Sequence, residues 1–456
     1  MDTTTEIKHI DHLGLVATVC DEAGIVDLIN DYVGKDGRKV SVGHAVKAMI
    51  LNALGFTARA LYLTPMFYTH RPVQLLIGDG VEASDLNESS LGTALDAIYD
   101  AGITELFFHV ASHVFARYGI PIRWGHLDSS TFSLHGDYDP DEDDMDACPI
   151  EITRGFSKDN RPELNQVVLQ IISANKSTLP IWIEVLSGNT SDRKSFVETI
   201  RQFQKQFDPK DMPTMVMDAA FYSEENITSC SDVSWITRVP ETLKEIKELY
   251  ATVDRSIFTP FEDGYAIYPY TSTYGGVPQR WLVVSSEQAR TREITTLHKR
   301  IAKVEEKQEK AFMHLRNRTF SCADDARQAG EHFAKGLKYQ TYTPEVIEKA
   351  RHTGRGRPKA GSEPTHFEYY LTGTLVRDDE AIAAAEAPKG LFVIATNVLD
   401  IAELSDEQLL ATYKDQAVTV ERGFRFLKDP LFYAESLYLK SPKRIMALLM
   451  VMTLSL

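Results

Sequence analysis

RWGHLDSSTFSLHG, Arg123–Gly136, is the stretch on which the fold turns. It alternates, and it is rich in aromatic and β-branched residues, so it predicts a strand running into a hairpin. Everything before it reads as helix. SVGHAVKAMILNALGF (41–56) sets Val42, Ala45, Val46, Met49, Ile50 and Ala53 on one stripe. Ser84–Ala101 follows, with Ser84 and Asp85 as candidate caps, and then TELFFHVASHVFARY (104–118). His109 and His113 are four apart, a metal-compatible spacing. With no HExxH glutamate they read as core or surface histidines.

After Gly136 the strand character continues. VVLQIISANKS (167–177) and LPIWIEVLSGNTSD (179–192) predict two more strands. SDRKSFVETIRQFQKQF (191–207) predicts a helix capped by Ser191. PTMVMDAAFYSEENI (213–227) predicts a short buried strand, then Asp218, then a helix start, and VSWITRVP (233–240) predicts a fifth strand. From about 241 to 388 this rhythm breaks. YAIYPYTSTYGGVPQRWLVVSS (265–286) predicts an antiparallel pair joined by Gly-Gly. Glu287–Leu337 predicts a charged helical pair, solvated or coiled-coil-like. RHTGRGRPKAG (351–361) is basic, and its GRGRP core reads either as a minor-groove hook or as a plain linker. HFEYYLTG (366–373) and GLFVIATNV (390–398) return to strand character. SDEQLLATYKDQAVTVERGFRFLK (405–428) predicts one closing helix capped by Ser405.

A chain of 456 residues is too long for one ordinary core, and two or three domains are expected. No apolar run reaches membrane-spanning length, and the N-terminus has no signal pattern, so a cytoplasmic protein without a membrane is expected. The four cysteines are scattered and form no CxxC pair, which points away from zinc sites and disulfide frameworks. A net charge of −16 excludes coating of nucleic acid through bulk charge, but not local basic surfaces. DPDEDDMD (139–146) concentrates six acids in eight residues and reads as a solvated loop, since the EF-hand spacing is absent.

Three acids stand out. Asp128 follows Trp124-Gly-His-Leu and Asp218 follows Met215-Val-Met. In each case an apolar strand runs into an acid and then into small residues. A buried unpaired acid is costly unless hydrogen-bonded or neutralised, and a divalent cation can neutralise it. In YKDQAVTVERGFRFLK (413–428), Glu421 and Lys428 lie two helical turns apart, flanked by Arg422 and Arg425. Two aspartates and a glutamate can hold two magnesium ions for phosphodiester chemistry.

The strand order resembles the ribonuclease H-like fold, and the resemblance extends to particular blocks. HLDSSTFSLHGDY (126–138), GFSKDNRPELNQ (155–166), SGNTSD (187–192), VMDAAFYSEEN (216–226), WITRVP (235–240) and ERGFRFLKDPLF (421–432) occur in one order. Together they resemble the DDE transposases of bacterial insertion sequences, in the group with a Tyr-Arg-Glu-Lys signature. The resemblance implies an α/β fold: a ribonuclease H-like mixed sheet flanked by helices, with an all-α N-terminal domain and an α+β insertion. It implies a helical, DNA-binding domain over 1–120, a core over 121–240 and 389–456, and an insertion over 241–388.

It further implies catalytic, metal-binding Asp128, Asp218 and Glu421, with Lys428 as the signature lysine. Tyr413 is the signature tyrosine, and Gln416 approximates the signature arginine at a spacing one residue too long. Arg422, Arg425, Lys158, Arg161, Arg193 and Lys194 become candidate DNA contacts. The implied cofactor is Mg2+, with Mn2+ as a substitute. The implied partners are double-stranded DNA, as terminal inverted repeats and as target, and a second copy of the chain. The chain stops at KSPKRIMALLMVMTLSL (440–456), which predicts an apolar helix running into the terminus with an exposed face. That ending raises a second reading, a truncated and inactive DNA-binding remnant. A third is a ribonuclease H-like nuclease without strand transfer.

Overall fold

The computed structural model describes residues 7–34, 37–56, 61–136, 138, 149–177, 179–353, 363–416, 418–429, 432 and 439–456. The acidic run 139–146 and the GRGRP core at 354–358 lie outside them.

Thirteen strands are described. They are β1 Trp124–Leu134, β2 Asn165–Ala174, β3 Pro180–Ser187, β4 Thr214–Met217, β5 Trp235–Arg238, β6 Thr259–Phe261, β7 Tyr265–Tyr274, β8 Val277–Ser286, β9 Gln340–Thr341, β10 Glu345–Arg351, β11 His366–Thr372, β12 Val376–Arg377 and β13 Leu391–Thr396. Nine of them form one mixed sheet in the order β3-β2-β1-β4-β5-β13-β8-β7-β6. β1 pairs antiparallel with β2 along its length, from Gly125 opposite Ala174 to Leu134 opposite Asn165. β2 pairs antiparallel with β3, whereas β4 is parallel to both β1 and β5. Three antiparallel strands followed by two parallel ones, flanked by helices, is the ribonuclease H-like arrangement.

Strands buried on both faces read as near-continuous apolar runs. β2 (NQVVLQIISA) is buried at every residue after Asn165, and β4 at every residue after Thr214. The chain divides into two compact units. The first holds residues 1–240, 269–282 and 394–456, and the second holds 241–268 and 283–393.

In the first unit the Ile103–Arg117 helix lies on β3, and Thr104 Oγ1 donates to the Ile183 carbonyl at 2.9 Å. The Asp192–Gln204 helix links β3 to β4 and buries Phe196, Ile200 and Phe203. The Glu88–Asp100 helix is capped by Asn87, whose side chain accepts from the Ser90 amide, rather than by Ser84 or Asp85. The exposed apolar helix expected at the C-terminus is instead buried. Over Pro442–Thr453, Ile445 and Ala447–Thr453 are all in the core, packed chiefly against the Glu88–Asp100 helix. Arg444 anchors it there through two 2.7 Å bonds to the Asp96 carboxylate. The apolar stripe was readable, but its partner, more than 340 residues upstream, was not.

In the second unit the Glu287–Arg316 and Ala323–Lys335 helices pair through Phe312 and Phe333, whose rings stack at 5.7 Å. β10 and β11 form a separate antiparallel hairpin beside them. Gly275 and Gly276, which belong to the first unit and join β7 to β8, have φ of 58° and 73°. Both central residues of a type I′ turn need this left-handed backbone, which is why two glycines occupy the corner.

Candidate active site

Asp128 is expected at a strand end but lies inside β1, its fifth residue. It is β4 that ends there. The parallel register runs Trp124–Thr214, Gly125–Met215, His126–Val216. Continued by two residues, it sets Asp128 beside Asp218, which directly follows β4. Adjacent strands lie about 4.8 Å apart, so the two acids are neighbours where the parallel strands end, the usual place for a site in such sheets.

The backbone holds both carboxylates. Ser129 N donates to Asp128 Oδ1 at 2.7 Å, and Ala220 N donates to Asp218 Oδ1 at 2.9 Å. Thr237 Oγ1 fixes the Asp218 carbonyl at 2.7 Å. Burial pushes Asp128 up to about 6, against the pull of Lys158, with Asp218 and Asp192 raising it further. Burial also raises Asp218. Among the described residues no hydrogen bond reaches Oδ2 of either aspartate, so each carboxylate keeps a free oxygen.

The closing helix is broken. Ser405 does cap it, but it runs only over Asp406–Asp415, and a second helix covers Val420–Leu427. Thr419, at ψ −86°, stands between them. β-branched Val418, Thr419 and Val420 resist helix, and Gln416 turns inward, donating from Nε2 to the Leu127 carbonyl at 3.4 Å. Glu421 therefore sits in the first turn of a separate short helix, exposed, beside exposed Arg422 and Arg425. Lys428 ends that helix as its C-cap. Its Nζ lies 5.5 Å from the Phe132 ring centroid, and burial lowers its pKa. Tyr413 lies near enough to Asp218, Glu421 and Asp128 for each to add to the burial that pushes its phenol up to about 12.

No three His, Cys, Asp or Glu side chains among the described residues are grouped closely enough to hold one metal ion. Asp128 and Asp218 are brought together, whereas Glu421 shares with them only the neighbourhood of Tyr413 and does not complete such a group. The donor set nonetheless suits a hard divalent cation: two adjacent carboxylates, each with an open oxygen, partly withdrawn from water.

The other expected residues are placed as follows. Arg161 pairs with Glu163 at 2.5 Å, and Arg193 and Lys194 are exposed on the first turn of the Asp192–Gln204 helix. Lys158 Nζ lies 3.8 Å from Asp128 Oδ1 and 3.0 Å from Asp192 Oδ2. Two residues were missed. Asp192, inside SGNTSD, reaches the site because it starts a helix beside β3. Arg238, inside WITRVP, ends β5 close enough to Tyr413 for its charge to oppose the rise of that phenol. The only signal for either was its block's place after a strand.

The family profile described as "Transposase DDE domain" matches residues 126–456. The chain belongs to that family. Residues 5–112 match a second profile, described as a domain of unknown function (DUF4277). No curated protein matches the chain. Among solved structures, the piggyBac transposase synaptic complex with hairpin DNA is similar at a TM-score of 0.34 and 9% identity, covering 97% of this chain and 74% of that one. That likeness is too loose to argue from.

Proposed function

We propose that the chain is the transposase of a bacterial insertion sequence, which cuts the DNA backbone at the element's ends and joins the freed 3′ ends to target DNA. The observation that carries this reading is the Asp128–Asp218 pair, set side by side by the β1–β4 register with one free oxygen each. Asp128, Asp218 and Glu421 are the residues that would hold divalent cations, Mg2+ or Mn2+. Glu421 would join the aspartates once cation charge offsets the repulsion among three carboxylates. Bound there, the metal would supply activation of the attacking oxygen and stabilisation of the leaving one.

The chain's own groups do the rest. Lys428, Arg422 and Arg425 bind backbone phosphates beside the acids, and Arg193 and Lys194 extend the basic surface. Tyr413, kept protonated by its surroundings, orients groups at the same centre. Two ends must be brought together, which calls for a second copy of the chain on DNA. The test is incubation of the full chain with Mg2+ and a supercoiled plasmid bearing the element's inverted repeats. Cleaved ends and joined products are expected. Cleavage without joining identifies a nuclease, and no cleavage contradicts the reading.

A further inference from the structure

A circuit of hydrogen bonds closed by one ion pair borders Asp128. Lys158 Nζ donates to the Ser129 carbonyl at 2.7 Å and to Ser129 Oγ at 2.7 Å, and lies 3.0 Å from Asp192 Oδ2. Ser129 Oγ in turn donates to Asp192 Oδ1 at 2.5 Å. Two of the three N–H donors of the ammonium go to Ser129, and its charge is paired with Asp192, which sets Lys158 apart from the exposed Arg422 and Arg425. The circuit holds the positive charge 3.8 Å from Asp128 Oδ1, where an incoming cation would meet it.

We propose that Lys158 is a positioning residue, a tethered counter-cation that neutralises Asp128 in the metal-free protein and sets how tightly the Asp128–Asp218 pair takes a divalent ion. The inference rests on the metal-site reading above. Asp192 is its restraint: it shares the ammonium and keeps it from closing onto Asp128. Removing the lysine removes a like charge from the cation's path. Removing the negative charge of Asp192 leaves Asp128 as the lysine's main carboxylate partner. The two changes therefore act in opposite directions, which a loss of local structure would not produce.

The experiment is a Mn2+ titration of the full chain without DNA, followed by the electron paramagnetic resonance signal of the free ion. Lys158→Gln is expected to bind Mn2+ about tenfold more tightly than wild type. Asp192→Asn is expected to bind more weakly, and Lys158→Arg, which keeps the charge, like wild type. Binding by Lys158→Gln equal to or weaker than wild type overturns the inference. Should that variant not fold, Asp192→Asn decides alone, and unchanged or tighter binding overturns it. Asp128→Asn serves as the separate control. If it binds like wild type, the metal-site reading fails first. If wild type and Lys158→Gln bind no Mn2+ at all, both readings fall.

Discussion

Lys428 Nζ lies 2.7 and 2.9 Å from the two carboxylate oxygens of Asp159. This ties the end of the Glu421 helix to the loop that carries Lys158. The pair is partly exposed, with side chains 22% and 38% accessible, so it adds at most about 1 kcal/mol to stability. Under the proposed function, a backbone phosphate would replace Asp159 as the lysine's partner. Lys428→Met is expected to slow DNA cleavage roughly 100-fold with little change in melting temperature. Asp159→Asn is expected to keep cleavage. Rate and melting curves on both variants check this, and equal loss in both contradicts it.

Asp128 weakens the metal-free protein as pH rises from acid towards neutral. Its folded pKa is raised from 3.8 to about 6. A raised carboxylate gives stability that is fully present below its unfolded pKa and is lost as pH rises through its folded one. The difference amounts to about 3 kcal/mol. Metal binding needs the ionised form, so stabilisation by Mn2+ grows over the same window. In melting curves measured against Asp128→Asn, so that the other titrating groups cancel, wild type is expected to lose stability between pH 5 and 7.5 without Mn2+ and to gain more from Mn2+ at the higher pH.

His126, two residues before Asp128, pulls the other way. It is 1% exposed, and neither ring nitrogen has a hydrogen-bond partner among the described residues. Burial lowers its pKa from 6.5 to about 4. The unfolded chain takes up a proton first, so stability falls as pH drops from about 6.5 towards 4, by about 3 kcal/mol. His126→Leu is expected to abolish that loss without harm at pH 7.5. An acid-side melting profile unchanged from wild type contradicts this account.

The C-terminal helix belongs to the core. Leu449 is 1% exposed, so Leu449→Ala is expected to cost about 2–5 kcal/mol in denaturant unfolding. A cost under about 1 kcal/mol would mean that the helix is only loosely attached.

Much of this was legible in the sequence wherever the signal was local. The apolar runs of β1 to β5 and the acids adjoining them are contiguous patterns. Register is not local: only the β1–β4 pairing shows that Asp128 and Asp218 are neighbours. The Ser129–Lys158–Asp192 circuit was hidden for the same reason, since its members come from a strand, a loop and a helix start. The break between Asp415 and Val420 was half-visible. The β-branched run Val418–Val420 disfavours helix, but the inward turn of Gln416 depends on the Leu127 carbonyl. Burial of the last helix was missed because periodicity reveals an apolar face and not what covers it.

The central claim is that Asp128 and Asp218, with Glu421, carry out DNA cleavage. The most direct test compares metal-dependent cleavage of DNA bearing the element's ends by wild type, Asp128→Asn, Asp218→Asn and Glu421→Gln, each confirmed as folded by its melting curve. Cleavage by wild type alone, with each variant reduced at least about 100-fold, is the predicted result. Wild-type rates in either aspartate variant would contradict the account.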